Sequence, residues 1–444
     1  MDGPQAGAGS ISDDRLRSIH QKISIPPRIL CPSAGKPACC IFRVPRTFVE
    51  INGRAYRPRI VSIGPYHIGH SDLAMIQEHK YRYLDAVLAR SRPSLLSLES
   101  LVRSLEPMIG EAIECYSESI SLSMDDFLEM LVVDSVFLIE LFMRFSRQVP
   151  LDREDPIFTM SWVRPFFNRD FLCLENQIPY FILEKVYNEV TTMDDKCVPS
   201  LARLALVFFN NGLDLPGEAT AASDDLPPRH LLDLVRTTFL PHDESLVEPP
   251  RGPGVPTHVI HCVSKLRRAG IHLRASKDEE TFLAVRFREG KGLLEMPMIA
   301  IDDLMAAFLM NCVAYEQCHH GITKHFTTYA TLLDCLVNTA RDVEYMCDHG
   351  IVENHFGTDS EVARLINNMG KDVAFNIDRC YLSGLFNSVH DYYNNSWHVQ
   401  WAGFKYTYFD TPWSFISALA ALVLLFLALT QTFFTVYQYY FPPK

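Results

Sequence analysis

The distribution of apolar residues predicts a mainly helical chain that ends in one long apolar helix. A run of 22 uncharged residues extends from Phe415 to Val436. At a rise of about 1.5 Å per residue, this run can cross a hydrocarbon core of roughly 30 Å. Trp413 precedes the run and Tyr437 follows it, as in the aromatic belts of membrane interfaces. We therefore predict a transmembrane helix that anchors the chain in a membrane.

Small residues recur four apart at the start of this apolar run. Such spacing lets two membrane helices approach closely, because small side chains bring the backbones together. The pattern makes the helix a possible contact between two copies of the chain, through Ser414, Ser417, Ala418 and Ala421.

A second apolar stretch, residues 124–145, predicts a central buried helix rather than another membrane span. It is apolar nearly all round, which is typical of a helix enclosed by other helices. Each charge in the middle of a membrane costs about 2.5–3.5 kcal/mol, and this stretch carries several. The charged residues that exclude a membrane position are Glu129, Asp134, Glu140 and Arg144.

Other segments show shorter patterns. Residues 41–69 are rich in Pro, Gly and β-branched residues, which predicts extended segments and turns. Residues 272–301 alternate between apolar and polar positions around Gly-containing turns, which predicts strands in hairpins. Helical spacing predicts the remaining helices over residues 73–90, 95–117, 179–190, 200–210, 230–239, 258–269, 302–321, 327–347, 360–371 and 381–397.

The predicted fold class is thus mainly α (α+β): a large helical body with a small antiparallel β-hairpin sheet, plus one C-terminal transmembrane helix. Pro, Gly and acidic residues concentrate between the two halves of the body. The predicted organisation is a disordered N-terminal segment (1–40), the first half of the body (41–212), a linker or insertion (213–256), the second half with the sheet (257–409), the transmembrane helix (412–437) and a short tail (438–444).

Composition and the N-terminal sequence restrict the partners and the cellular location that we expect. The net charge is −12 and no Lys/Arg stripe occurs, so we expect no nucleic-acid partner. The chain does not start with a basic and then apolar signal peptide. The 12 cysteines form no CxxC pair, which fits reduced thiols. These features favour a cytosolic body on a plasma membrane or endomembrane.

The search for catalytic or metal-binding motifs gives little. Gly-rich phosphate loops, nucleophile elbows and HExxH motifs are absent from the sequence, so we predict no cofactor. The nearest metal candidate is Cys318-His319-His320 with His325. Adjacent residues at a helix end point in different directions, whereas zinc needs converging ligands. A histidine that complements the negative end of the helix dipole is the simpler interpretation.

Carboxylates inside apolar surroundings are more informative. Asp134, Glu140 and Glu175 each need a partner if they are buried, because an unpaired buried carboxylate is costly. One interpretation is acid–base chemistry; the other is an internal polar network that fixes helix packing. The candidate network comprises Lys80, Asp134, Glu140, Arg169, Asp170, Glu175 and Gln177.

Several longer motifs resemble one plant family in their order along residues 41–437. The family is the plant domain of unknown function 247, also called UPF0481. VSIGPYH (residues 61–67) and LENQIP (residues 174–179) carry the resemblance most specifically, and the PWSFIS start of the terminal helix belongs to it. The other segments that match are VPRTFVEINGRAYRPRI, HKYRYL, VVDSVFLIELF, LRRAGIHL, LEMPMIAIDD, CVAYEQCHH and YATLLDCLVNTARDVEYMCDHGIVENHFGTDSEVARLINNM.

The resemblance implies a plant protein with one C-terminal membrane helix and supplies no catalytic residues. Some grass members are linked to self-incompatibility as candidate pollen-side determinants. Three functions follow as expectations. The first is non-enzymatic recognition or signalling between proteins at a membrane, the second a pollen self-incompatibility determinant, and the third a membrane-tethered enzyme that uses the buried carboxylates.

Overall fold

The computed structural model describes residues 12–91, 96–152, 154–191, 199–217, 227–241, 259–277, 281–394 and 412–440. Most of these residues are helical. Their backbone contacts group the chain into two units. The first unit contains residues up to Thr238 together with Met310–Ile322, and the second contains Phe239–Leu309 and the residues from Thr323 onward.

In the first unit, helix α6 (Met124–Phe145) is the central element, with the bounds that its pattern predicts. Ser123 caps it by accepting the N–H of Asp126 at 3.1 Å, and two aspartates in its first turn complement the helix dipole. Helices α3, α4, α9 and α10 pack against it. The other helices of this unit are α1 (Asp13–Ile23), α2 (Arg46–Tyr56), α3 (Ala74–Arg90), α4 (Leu98–Leu105), α5 (Ile109–Glu114), α7 (Pro156–Thr159), α8 (Val163–Asp170), α9 (Tyr180–Thr191), α10 (Leu201–Leu213) and α11 (Leu231–Thr238).

An aromatic cluster fills the core beside α6. The ring of Phe142 lies 5.2 Å from that of Phe208 and 6.3 Å from that of Phe171, in tilted and edge arrangements. Phe167 stacks on Phe171 at 5.2 Å. Such pairs contribute roughly 0.5–1.5 kcal/mol each beyond their buried area. The cluster therefore holds α6, α8 and α10 together.

Helix α2 differs from the expectation of extended structure over residues 41–69. Phe48 and Ala55 are seven residues apart and both are buried, so one face of α2 follows helical periodicity. Asn52 and Gly53 suggest a turn, but they mark a kink inside the helix, where Asn52 has φ −142° and ψ 46°. Burial of the apolar face outweighs the weak helix propensity of these two residues.

Two long predicted helices are divided. The stretch 95–117 forms α4 and α5, which a 3₁₀ turn containing Pro107 separates, because proline cannot donate the helical hydrogen bond. The stretch 327–347 forms α14 (His325–Leu336) and α15 (Ala340–Asp348). Thr339 starts α15 by a capping box with Asp342.

The second unit combines helices with two small sheets. Helix α13 (Asp303–Cys318) starts in this unit, and its residues from Met310 belong to the first. The remaining elements are α12 (Val263–Arg268), β1 (His272–Ser276), β2 (Arg286–Arg288), β3 (Leu293–Pro297), β4 (Ile299–Ile301), α14, α15, β5 (Val352–Asn354), α16 (Asp359–Met369), α17 (Ser383–Asn394) and α18 (Pro412–Tyr440).

The predicted small antiparallel β-hairpin sheet is only partly correct. The three-stranded sheet has the order β1-β3-β2, and only β2 and β3 are antiparallel. Strand β1 pairs with β3 in parallel, with Leu273 opposite Leu294, and β4 pairs with β5 in parallel. Alternation along a strand reveals which face is buried but not which strand lies beside it. The order of strand pairing could therefore not be predicted from the sequence pattern.

Helix α18 contains the predicted apolar run. Within the described part of the chain, its stretch Leu419–Tyr437 is the one segment long and apolar enough to be a candidate membrane span. None of this stretch is buried against the protein, unlike α6.

Candidate functional site

Residues 59–67 form an irregular segment in the first unit, neither helix nor strand, which we call the clamped segment. Most of this segment is buried, so its backbone N–H and C=O groups need partners other than water. Side chains from α3, α6, α8 and the turn after α8 supply many of them. The clamped segment contains VSIGPYH, and the turn contains LENQIP.

Asp170 at the end of α8 binds three successive amides of the clamped segment. Its carboxylate accepts the N–H groups of Arg59 at 2.9 Å, Ile60 at 2.8 Å and Val61 at 3.2 Å. Burial raises the pKa of Asp170 to about 6, against the opposing effect of the amide donors. The carboxylate thus accepts the hydrogen bonds that the carbonyl groups of a neighbouring β-strand would otherwise accept.

Asn176 binds one further amide of the clamped segment, that of Ile63. Its Oδ1 accepts the N–H of Ile63 at 2.7 Å, and its Nδ2 donates to the carbonyl of Val61 at 3.2 Å. Gln177 stabilises the turn itself by donating to the carbonyls of Phe171 at 2.6 Å and Cys173 at 2.9 Å. The two amides of LENQIP therefore hold both the turn and the clamped segment.

Asp134 and Lys80 form a buried pair under the middle of the clamped segment. Lys80 Nζ lies 2.5 Å from Asp134 Oδ1 and also donates to the carbonyl of Ser62. Asp134 Oδ2 accepts the N–H of Gly64 at 2.8 Å. Burial raises the pKa of Asp134, whereas Lys80 and the amide oppose that shift. Both charged side chains thus hold the backbone of the clamped segment in place.

Gly64 is required where the clamped segment turns. Its φ is +77°, a conformation that L side chains rarely adopt. A Cβ at this position would also collide with the carbonyl oxygen of Gln177. The close approach of the two motifs therefore depends on the absence of a side chain.

Glu175 lies at the more accessible end of this cluster. It accepts the N–H of Val44 at 2.8 Å and binds Arg43 Nη1 at 3.1 Å. His67 Nε2 lies 3.2 Å from Glu175 Oε2 without the alignment of a hydrogen bond. Burial alone would raise the pKa of Glu175, but His67, the Val44 amide and Arg43 lower it overall. Arg43 is about one-third exposed and stacks over Tyr66, with 4.4 Å from its guanidinium carbon to the ring centroid.

Glu140 belongs to a separate cluster further along α6. Arg90 binds both of its oxygens, at 2.9 and 2.6 Å, and Arg144 donates to it at 2.8 Å. Arg144 also contacts Asp155 at 2.9 Å. Burial would raise the pKa of Glu140, yet the two guanidinium groups lower it. This cluster joins α3, α6 and the start of α7.

The predicted network residues therefore fall into two groups. Lys80, Asp134, Asp170, Glu175 and Gln177 surround the clamped segment, and Glu140 lies in the other cluster. Arg169 is next to Asp170 in sequence but donates to the carbonyl of Arg54.

Contributors absent from the candidate network include Arg43, Arg90, Arg144, Asp155 and Asn176. Asp155 had a readable signal, since it precedes Pro156 and caps α7 by accepting the N–H of Ile157 at 3.0 Å. Asn176 lies between two network residues in LENQIP. Arg144 also had a signal, because it lies four residues after Glu140 on the same helix, whereas Arg43 and Arg90 show none in the local pattern.

The metal candidate does not form a ligand set in the described residues, where no group of three or more His, Cys, Asp or Glu side chains converges. His319 Nδ1 instead accepts the N–H of Gly321 at 3.0 Å, and burial lowers the pKa of His319 to about 4. His325 belongs to the second unit and stacks on Tyr381 at 4.5 Å between centroids.

The anchor residues all lie on α18. Val436 and Tyr437 are exposed, as are Ser417 and Ala421 of the small-residue pattern. The side chains of Trp413, Ser414, Phe415 and Ala418 fall outside the described residues.

The combination of a helical body, two interlocked motifs and a terminal apolar helix defines a class of plant proteins of unknown function. Residues 41–427 match the sequence model of the family DUF247, described as plant protein of unknown function. The chain belongs to this family.

Two relatives come from Arabidopsis thaliana. The UPF0481 protein At3g47200 is 35% identical over 435 residues, which cover 93% of this chain and 89% of the relative. The putative UPF0481 protein At3g02645 is 22% identical over 494 aligned positions, with 90% of each chain covered. No solved structure matches the chain.

Proposed function

We propose that this protein is a non-catalytic, single-pass membrane protein whose body recognises other proteins on the cytosolic side of a plant membrane. The observation that carries the proposal is the use of the buried carboxylates. Asp134 and Asp170 accept backbone amides, and Glu140 is neutralised by two arginines. Groups engaged in this way stabilise a framework and are poorly placed to exchange protons with a substrate.

The membrane part of the proposal rests on α18. Its exposed apolar surface would be unstable in water, and a bilayer removes that surface from water. An anchor in α18 leaves the first unit of the body available to partners. We also propose that the body lies in the cytosol.

Proximity labelling in plant cells tests the recognition role. The full chain, fused to a labelling enzyme at its N-terminus, should mark a reproducible set of proteins. The matched control carries the same fusion on α18 alone, so that it samples the same membrane without the body. If both fusions mark the same proteins, the body contributes no recognition and the proposal fails.

Protease protection in microsomes tests the orientation. A tag at the N-terminus should be digested when protease is added outside intact vesicles. A tag that becomes accessible only after detergent would place the body in the lumen and contradict the cytosolic assignment.

A further inference from the structure

A cavity of about 330 Å³ opens on the first unit beside α8. Its walls are mainly aromatic and aliphatic, from α6, α7, α8 and α10, and include Phe145, Phe158, Phe167 and Phe208. Apolar cavities of roughly 300 Å³ and above are the size class that binds ligands or inserted side chains. This cavity therefore has room for one or two large apolar groups.

Two arginines are held over aromatic rings, one in the lining of the cavity and one over a neighbouring residue of α8. Arg164 lines the cavity and lies over Phe145, with 5.3 Å from its guanidinium carbon to the ring centroid. Arg59 lies over Phe166, two residues further along α8, at 5.7 Å. Both arginines are exposed, and neither has a carboxylate within ion-pair distance among the described residues. Their charge is available to a partner.

Large apolar side chains continue the same surface. Trp162 is 43% exposed and its ring lies 6.0 Å from that of Phe166. Met160, which lines the cavity, is 45% exposed. Trp, Met and Arg are the residue types enriched where protein interfaces bind most strongly. We call Arg59, Met160, Trp162 and Arg164 with the cavity the α8 surface.

The α8 surface is positively charged, whereas the whole chain has a net charge of −12. Arg54 and Arg57 are also exposed, and the carbonyl of Arg54 accepts a hydrogen bond from Arg169 of α8. Two exposed carboxylates, Asp152 and Glu154, precede α7. The positive side of the surface is therefore the side formed by α8, the end of α2 and the residues that follow α2.

We propose that the α8 surface binds an acidic segment of a partner protein, with one large apolar side chain inserted in the cavity and flanking carboxylates paired with Arg59 and Arg164. This inference rests on the proposed recognition function and names the chemistry of the partner. A lipid surface offers anionic groups as well, but it is flat and does not fill a cavity.

The test is selection of a random peptide library on the full chain held in phosphatidylcholine nanodiscs. Recovered peptides should contain Asp or Glu on both sides of Leu, Phe, Trp or Met. Their affinity should fall about tenfold in Arg164→Glu and Arg59→Glu, because reversal of either charge replaces attraction with repulsion. Ser161→Trp, which fills the mouth of the cavity, should abolish binding with the charges intact.

The matched control is Arg103→Glu, an equal charge change at an exposed position of α4 that does not line the cavity. Far-ultraviolet circular dichroism checks that each variant is folded. The inference is overturned if the recovered peptides are not acidic, or if they bind Arg164→Glu and Ser161→Trp as well as the unaltered chain.

Binding of the α8 surface to a membrane can be distinguished from binding to a peptide. Hydrogen exchange of α8 should be the same in nanodiscs with and without phosphatidylserine. Protection that appears only with the anionic lipid would assign the surface to the membrane and overturn the peptide proposal. If Arg164→Glu leaves the proximity-labelled proteins unchanged, recognition stands and only this surface is excluded.

Discussion

Single side chains, rather than a sheet, determine the course of the clamped segment. Each of its amides between Arg59 and Gly64, apart from that of Ser62, is bonded to Asp170, Asn176 or Asp134. A missing acceptor here would leave a buried N–H group unsatisfied, which costs about 1–3 kcal/mol. The two family motifs are therefore two halves of one hydrogen-bonded structure.

Replacement of Gly64 by alanine should be strongly destabilising. A positive φ costs about 1–2 kcal/mol for a residue with a Cβ, and the clash with Gln177 should bring the total loss in free energy of unfolding to about 3 kcal/mol or more. Urea unfolding of the full chain in detergent measures it. Gly69→Ala is the control, since Gly69 has φ +78° but open space around its Cβ position. Equal losses in the two variants would contradict the role of the close approach.

Asp170 should make stability depend on pH in an unusual direction. Burial raises the pKa of Asp170 from 3.8 to about 6, so the folded chain retains a proton that the unfolded chain has released. Between about pH 4 and 6, unfolding releases this proton, and the free energy of unfolding falls by about 3 kcal/mol as pH rises. Above the upper value the contribution is constant.

Comparison with Asp170→Asn isolates this effect, because other titrating groups are shared by both proteins. The gap in free energy of unfolding between the two proteins should be larger at pH 4 than at pH 7. A gap that stays constant would show that Asp170 titrates in its ordinary range, and a gap that widens as pH rises would show that its pKa is lowered; either result contradicts the prediction.

At the scale of elements, buried ion pairs connect α3 to α6. Lys80 meets Asp134, and Arg90 meets Glu140, across sequence separations of 54 and 50 residues. The bounds of α6 could be predicted because its apolar run has a serine cap and charged termini. Lys80 was among the predicted network residues with Asp134, but Arg90 as a partner of Glu140 was not, since that pairing depends on which helix packs beside α6. The parallel pairing of β1 with β3 escaped prediction for the same reason.

Removal of Lys80 should cost more than removal of both members of its pair. Lys80→Met leaves the Asp134 carboxylate buried without its cation, which typically costs about 3–5 kcal/mol. Asp134→Asn in the same chain removes that charge while its carbonyl oxygen still accepts the Gly64 amide. The double variant should therefore be more stable than Lys80→Met alone in urea unfolding. Additive losses would mean that the two charges do not interact.

At the scale of the whole molecule, α18 differs from every other long helix in the described residues. Helix α6 is apolar and enclosed, whereas α18 is apolar and exposed along Leu419–Tyr437. Length and composition alone predicted α18 as a candidate membrane span, because an apolar run is read from the local sequence and needs no partner. The arrangement of α6 within the body depends on distant contacts, and so do its ion pairs.

Charges in the middle of α18 should release the protein from membranes. Arginine at Leu425 and Phe426 adds about 2.5–3.5 kcal/mol for each residue at the centre of a span. The double variant should move from the carbonate-resistant membrane fraction to the soluble fraction of plant cell extracts. Leu425→Ala with Phe426→Ala, which keeps the helix uncharged, should stay in the membrane fraction. Retention of the arginine variant there would show that another part of the chain holds it.

The clamped segment is synthesised well before the residues that bind its amides. The acceptor for the amide of Ile60 stands 110 residues further along the chain, and the acceptor for Ile63 stands 113 residues further along. Chains leave the ribosome from the N-terminus, so residues 59–67 emerge well before α8 and the turn that follows it. A nascent chain that stalls ahead of Asp170 therefore presents a hydrophobic segment with open amides. Such a segment is a natural substrate for the chaperones that attend translation.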